Sequence, residues 1–255
     1  MTELYDEHAD LYDLAFDWDV SEEVAWLHER LGAACRSVLE PGCGSGRILE
    51  AFARRGLHVA GIDRSPAMAE AAKRRLEAAG IAAEVFVADI TDFDLVRRFD
   101  GAVCPINTLL HLAPSELARH LARMADHLEP GGAYLVQLAI WDAADPTTRP
   151  SRWQATRGET TVRVTWTTED VDLEAARLRQ RSRIEILSGS RAGDVVEETH
   201  ALTAWTSEAW AAAVAASPFS YTAAYAGDRE RRPPVAPGSR GPMLWHQLTL
   251  GRHET

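Results

Sequence analysis

The sequence predicts a doubly wound α/β fold, with a mostly parallel sheet and a small antiparallel β insertion. Three observations lead there. Short apolar runs alternate with helical periodicity through the first half of the chain, as in successive strand–helix units. One of these strand-like runs passes directly into glycines at alternate positions, Gly42, Gly44 and Gly46, and then into a helix. After Asp142 the texture changes to strands in which polar and apolar residues alternate, the pattern of half-exposed antiparallel pairing.

Taken in order, residues 37–40 form the first strand and 46–55 the first helix of the core. Residues 58–63 are the second strand and 66–79 the next helix. Its start is marked by Ser65, which caps free amides, and by Pro66, which fits the first helical position. Strands follow at 84–88, 101–105 and 133–139, with a helix over 115–128 that Pro130, Gly131 and Gly132 terminate. Residues 145–151 read as a loop. The insertion then holds strands at 162–166, 177–186 and 196–204. Arg177, Arg179, Arg181 and Arg183 share one face of the middle strand, either a solvated or subunit-facing surface or a site for an acidic substrate. A helix from Ser207, strands at 220–225 and 244–250, and a loop over 231–242 complete the chain.

Composition narrows the function. With 255 residues and 46% hydrophobic content, the chain can bury a substantial core as one large domain, or a domain with an insertion. Apolar runs such as 133–140 stop well short of the roughly 18 residues that a membrane span needs. The acidic opening MTELYDEHADLYD lacks a secretory pattern, so a cytoplasmic protein is expected. Cys35, Cys43 and Cys104 are too scattered for a disulfide framework or a zinc site and read as small apolar fillers; no metal is expected. A net charge of -11 argues against nucleic acid as a partner and favours a neutral or cationic ligand.

The sharpest motif is VLEPGCGSGR at 38–47. Its glycines remove side chains where a ligand must lie against the backbone, and amides at the helix start can meet an anionic group. The dinucleotide fingerprint G-x-G-x-x-G needs its third glycine where Arg47 stands, and the lysine-bearing phosphate loop is absent, so neither cofactor class is favoured.

With LEPGCGSG, GIDRSP, VADITDF and LEPGGAYLVQL in that order, the chain resembles the class I S-adenosylmethionine-dependent methyltransferases. The resemblance implies their seven-stranded Rossmann-like sheet, S-adenosylmethionine as cofactor and S-adenosylhomocysteine as product. It implies that Glu40 orients the glycine loop and the cofactor ammonium, beside Gly42, Cys43, Gly44 and Gly46. Asp63, followed by Arg64, would hold the ribose hydroxyls. Asp89 would take the adenine amino group in preference to Asp92 or Asp94, with Ile90 covering the ring. Pro105 to Asn107 would offer carbonyls near the methionine moiety. These positions cluster at the carboxyl ends of parallel strands, where such sheets bind ligands.

Methyl transfer needs an acceptor lone pair held in line with the methyl carbon, water kept out, and loss of the acceptor proton. The segment NTLLHL at 107–112 follows the fourth strand and resembles the S-x-x-H-L segment of bacterial amino-sugar N-methyltransferases. The resemblance makes His111 a proton acceptor or acceptor-positioning group. It makes Tyr5 and Tyr12 part of an N-terminal helical lid over residues 1–35, although Trp18 and Asp19 replace the subgroup's glycine-rich turn. Residues 36–145 would be the cofactor core, 146–206 the insertion and 207–255 the completion of the sheet. Trp141 and Trp153 flank the insertion, where the subgroup builds its acceptor pocket and often its dimer contact; His200 is a weaker candidate. The expectation is a homodimeric amine methyltransferase of bacterial specialised metabolism that acts on a small-molecule acceptor. O- or C-methylation, or a rearrangement promoted by the bound sulfonium, is the alternative.

Overall fold

The computed structural model describes residues 3–142, 149–227 and 232–251. Most of the 145–151 loop and part of the 231–242 loop therefore lie outside the described residues. Helices α1 (Glu3–Asp6), α2 (Ala9–Ala15) and α3 (Ser21–Leu31) precede the sheet. Strand β1 (Ser37–Pro41), α4 (Arg47–Arg54), β2 (His58–Asp63), α5 (Pro66–Ala78) and β3 (Glu84–Val87) make one half of it. Strand β4 (Phe99–Cys104), a 3-10 turn (Thr108–His111), α6 (Pro114–Asp126) and β5 (Leu128–Ile140) lead to the insertion. That insertion comprises β6 (Ser151–Arg157), β7 (Thr160–Asp172), β8 (Arg177–Ile186) and β9 (Val195–Thr203). Helix α7 (Ser207–Ala215), β10 (Phe219–Ala226), β11 (Pro234–Val235) and β12 (Gly241–Leu250) close the chain.

The large sheet runs β11-β10-β12-β5-β4-β1-β2-β3, parallel from β3 to β5, with β12 antiparallel to both neighbours. Successive residues of a strand point to opposite faces, and both faces here are covered. Leu39 and Ile62 pack with Leu117, Leu121 and Met124 of α6, whereas Val38 packs with Val24, Leu27, Leu49 and Phe52 of α3 and α4. Ser65 caps α5 by accepting from Met68 N at 3.2 Å, as its sequence signature predicts. A third cluster joins Leu11, Leu14 and Phe16 of α2 to Val162, Val164, Ile184 and Ile186, so the insertion packs on the N-terminal helices. Among the described residues, no helix is long and apolar enough to cross a membrane.

Three expectations need correction. The sheet has eight strands rather than seven, because Pro234–Val235 adds a two-residue edge to β10. The insertion has four strands rather than three: β6 is an edge strand whose few apolar residues, Trp153 and Ala155, gave too little alternation to read. Helix α6 ends at Asp126, before Pro130, and Gly131 and Gly132 lie within β5 instead. There they form a bulge, with Phe99 facing Leu128 but Gly101 facing Ala133, and a Cβ on Gly132 would stand 2.8 Å from Glu129 O. The arginines of β8 form a solvated face: Arg177 pairs with Asp172, Arg179 and Arg181 with Glu169, and Arg183 with Glu185 and Glu197.

Candidate functional site

The turn between β1 and α4 puts its three glycines to different uses. All three have positive φ, at 69°, 52° and 78° for Gly42, Gly44 and Gly46. A Cβ on Gly42 would stand 2.4 Å from the Thr108 methyl, and one on Gly46 would stand 2.9 Å from the Ala72 Cβ. At these two positions it is protein, packed against the backbone, that leaves no room for a side chain. Gly44 differs, since its Cβ would meet only the Tyr12 ring, at 4.0 Å. The amides of Gly42 and Cys43 donate to Ile62 O, and the Cys43 side chain is buried against Gly61.

Glu40 lies beneath this turn, 2% exposed, and its Oε2 is sealed from solvent without a hydrogen-bond partner. Burial pushes its carboxyl well above the ordinary range; Arg47 draws it back and Asp63 adds to the rise. Asp63 ends β2, and its carboxylate accepts from Gly44 N at 2.8 Å and Ser65 N at 2.9 Å. Burial still raises its pKa, against those two bonds. A sealed, unpartnered carboxylate oxygen beside an approachable glycine backbone fits a cofactor that carries an ammonium group, and S-adenosylmethionine is such a cofactor.

The N-terminal helices close over the turn. Ser65 Oγ donates to Tyr5 O at 2.7 Å, and Leu4 N donates to Glu198 of β9 at 2.8 Å. Arg75 of α5 and Arg157 of β6 both pair with Asp13 and Asp17 around α2. Tyr5 and Tyr12 meet edge to face with ring centroids 5.1 Å apart, and Tyr5 meets His111 at 5.7 Å, with its hydroxyl 3.4 Å from His111 Nε2.

These three side chains line a cavity of about 470 Å³, together with Asn107, Trp141 and Trp153. His111 is exposed to the cavity yet enclosed by protein, and burial lowers its pKa to about 4, helped by His200 and Arg64. The Tyr12 phenol is pushed up to about 12 by burial, despite Arg47, so it keeps its proton at neutral pH.

Other predicted residues sit elsewhere. Asp89 is exposed two residues beyond β3, accepts from Thr91 N and Oγ1 at 2.8 Å each, and has its pKa lowered by those bonds against a burial effect that raises it. Ile90 leans on the core, and Arg64 is exposed; none of the three lines the cavity. Two of the three expected carbonyls are engaged, Pro105 O by the Thr108 hydroxyl at 2.9 Å and Asn107 O by Leu110 N at 2.9 Å. Ile106, at φ 54°, lines the cavity and its amide is held by Gln137 Oε1 at 2.8 Å.

Sequence reading missed Phe16 and Trp166, which also line the cavity. Helical spacing from Tyr12 pointed to Phe16, which stacks on it at 4.4 Å. Strand parity pointed to Trp166, which shares a face with the fully buried Val162 and Val164. His200 stacks on Trp166 at 4.8 Å and bonds Ser182 Oγ at 2.9 Å, behind the cavity wall.

Residues 38–132 match the methyltransferase domain family. A dTDP-4-amino-2,3,4,6-tetradeoxy-D-glucose N,N-dimethyltransferase of Saccharopolyspora spinosa is 36% identical over 139 residues, 51% of this chain and 54% of that protein. The match thus spans about half the length of that relative. The Streptomyces venezuelae protein DesVI has the same fold, with a TM-score of 0.77 at 23% identity over 96% of this chain and 98% of that one. CalS10, an amino pentose methyltransferase from Micromonospora echinaspora solved with S-adenosylmethionine, gives 0.72 at 22% identity over 92% of both chains. The order of the glycine turn, the β2 carboxylate and the strands around them agrees with these matches, and residues 38–132 are the part of the chain that matches a methyltransferase domain.

Proposed function

We propose that this chain transfers a methyl group from S-adenosylmethionine to an amine nitrogen of a small molecule, leaving S-adenosylhomocysteine. One observation carries the reading: Tyr12 stands at the junction of the open Gly44 turn and the cavity that holds His111. Bound there, the cofactor supplies an electrophilic methyl group. Glu40 takes its ammonium, Asp63 the ribose hydroxyls, and Asp89 with Ile90 the adenine, while the backbone at 42–46 and 105–107 lies against the methionine moiety and Arg64 flanks the ribose. Tyr5 and Tyr12 cover it and exclude water, and Trp141 and Trp153 wall the acceptor side. His111, neutral above a pH of about 4, accepts a hydrogen bond from the acceptor nitrogen and so points its lone pair. So low a pKa suits positioning better than storage of the acceptor's proton.

Two variants separate the roles. Asp63→Ala should weaken S-adenosylhomocysteine binding by about 1.5–3 kcal/mol in calorimetry, the scale of lost bonds to a charged group. His111→Ala should leave that affinity intact but lower kcat about 10- to 100-fold with methyl-labelled cofactor and a panel of amines. A rate–pH profile between pH 6 and 8 with no break that His111→Ala removes is the mark of positioning. If the cofactor binds but no amine, phenol or carbon acid is labelled, transfer is refuted.

The inserted sheet also serves as a homodimer contact in this reading, supported by the exposed Leu187 and Val195 at one end of β8 and β9. Light scattering should return twice 28.1 kDa; a monomer would remove the proposal.

A further inference from the structure

The chemistry of the cavity wall points beyond methyl transfer to the kind of molecule that receives the methyl group, an inference that rests on the transfer reading above. Seven aromatic side chains line the cavity: Tyr5, Tyr12, Phe16, Trp18, Trp141, Trp153 and Trp166. They come from three separate parts of the chain, and neighbouring rings keep fixed mutual angles. Phe16 stands edge-on to Trp153 at 5.5 Å and to Trp166 at 6.1 Å. The Trp153 Nε1 donates to Ala15 O at 2.6 Å and the Trp166 Nε1 to Gln180 Oε1 at 2.8 Å, so both indoles are locked in orientation. Rigid π surfaces of this kind favour planar and cationic guests.

Fixed charge is scarce. Among the described residues of the lining, Arg149 is the one arginine or lysine and Glu23 the one carboxylate, and Glu23 pairs with Arg232 at 3.6 Å. Behind the wall Arg47 lies over the Trp18 ring at 4.4 Å, and the Arg232 side chain, 5% exposed, is turned to Glu23. Arg64 lies outside the lining, its charge felt by Asp63 and Asp89. Of the neutral polar groups of the wall, Gln137, Gln180 and Thr168 are already bonded to Ile106 N, to Trp166 Nε1 and to the Gln180 amide, whereas Asn107 Oδ1 and Trp141 Nε1 are buried without a partner and open to a neutral donor and acceptor. A diphosphate needs several cations or a helix N-terminus turned toward it, and a buried anion without them is strongly disfavoured.

We propose that the acceptor is a flat, largely apolar amine that carries no phosphate, held against the aromatic face to which Trp153 and Trp166 belong, with its nitrogen toward His111. The half-length relative named for a dTDP-linked amino sugar would then share the cofactor chemistry but not the class of acceptor.

The full chain with methyl-labelled S-adenosylmethionine can be offered tryptamine and a dTDP-linked amino sugar in competition, with S-adenosylhomocysteine binding measured alongside. Tryptamine is expected to take the label with kcat/KM at least about tenfold higher. Trp166→Leu should raise the KM for tryptamine roughly three- to tenfold and leave S-adenosylhomocysteine affinity unchanged. Preferential labelling of the nucleotide-linked sugar, or labelling of neither while S-adenosylhomocysteine binds, overturns the proposal and leaves the cofactor reading standing. Failure to bind S-adenosylhomocysteine overturns both.

Discussion

Acidification from pH 6.5 to pH 4 is expected to lower the melting temperature steeply, because the fold buries histidines in their neutral form. His120 and His246 are both fully buried, and burial brings each from 6.5 to about 4. Burial holds each neutral, against carbonyl bonds that favour the charged form. His120 bonds Ile90 O at 2.9 Å and the Tyr134 hydroxyl at 2.8 Å. His246 bonds the Tyr221 hydroxyl at 2.5 Å and Leu138 O at 3.2 Å. The folded pKa lies below the unfolded one, so between the two values the unfolded chain binds more protons and stability falls with falling pH. The contribution is fully present above about pH 6.5 and lost as the pH drops toward 4, at about 2–3 kcal/mol for each histidine. Thermal melts at half-unit intervals test this, and His246→Gln, made in a background that still melts cooperatively, should flatten the slope. A flat melting temperature over that range would mean that these imidazoles are charged in the fold.

Gly46→Val should be the most damaging single substitution in the turn. Its φ of 78° is strained for any β-branched residue, and its Cβ would press on the Ala72 Cβ at 2.9 Å and Cα at 3.2 Å. Ala72 sits on α5, so relief requires the α4–α5 packing to part. A loss of about 3 kcal/mol or more in chemical denaturation is expected, from backbone strain and overpacking together. Gly44→Ala has open space around its Cβ and bears only the φ penalty; it should fold well and lose cofactor affinity instead. Equal destabilisation by the two would erase the distinction between packing and contact glycines.

Much of this architecture was legible because its signals are local. The Ser65–Pro66 start, the alternate glycines and the short, continuously buried runs of β1 and β2 each depend on residues a few positions apart, and each appears where the pattern puts it. The Pro130–Gly132 segment shows the limit. The same residues end a helix or make a bulge, and the approach of Gly132 to Asp100 O, which needs the neighbouring strand, decides between them. The acceptor wall was harder still. Trp153 meets Ala15 across 138 positions, so Phe16 and Trp166 became wall residues only when α2 was laid on the insertion. The acids proposed for the cofactor, Glu40, Asp63 and Asp89, stand out because each lies at or just beyond the end of a parallel strand, whereas the existing bonds of the carbonyls at 105 and 107 were invisible in the sequence.

The short helix α1 is tethered at both ends of the active centre, through Ser65 on one side and Glu198 on the other. A single piece of chain therefore feels events in two compartments. If binding on the nucleoside side draws this piece of chain closer to the inserted strands, occupancy of one compartment favours the other, and thermodynamic reciprocity makes the bias equal in both directions. The two reactants should consequently arrive as mutual helpers, each dissociating more slowly while the other is in place.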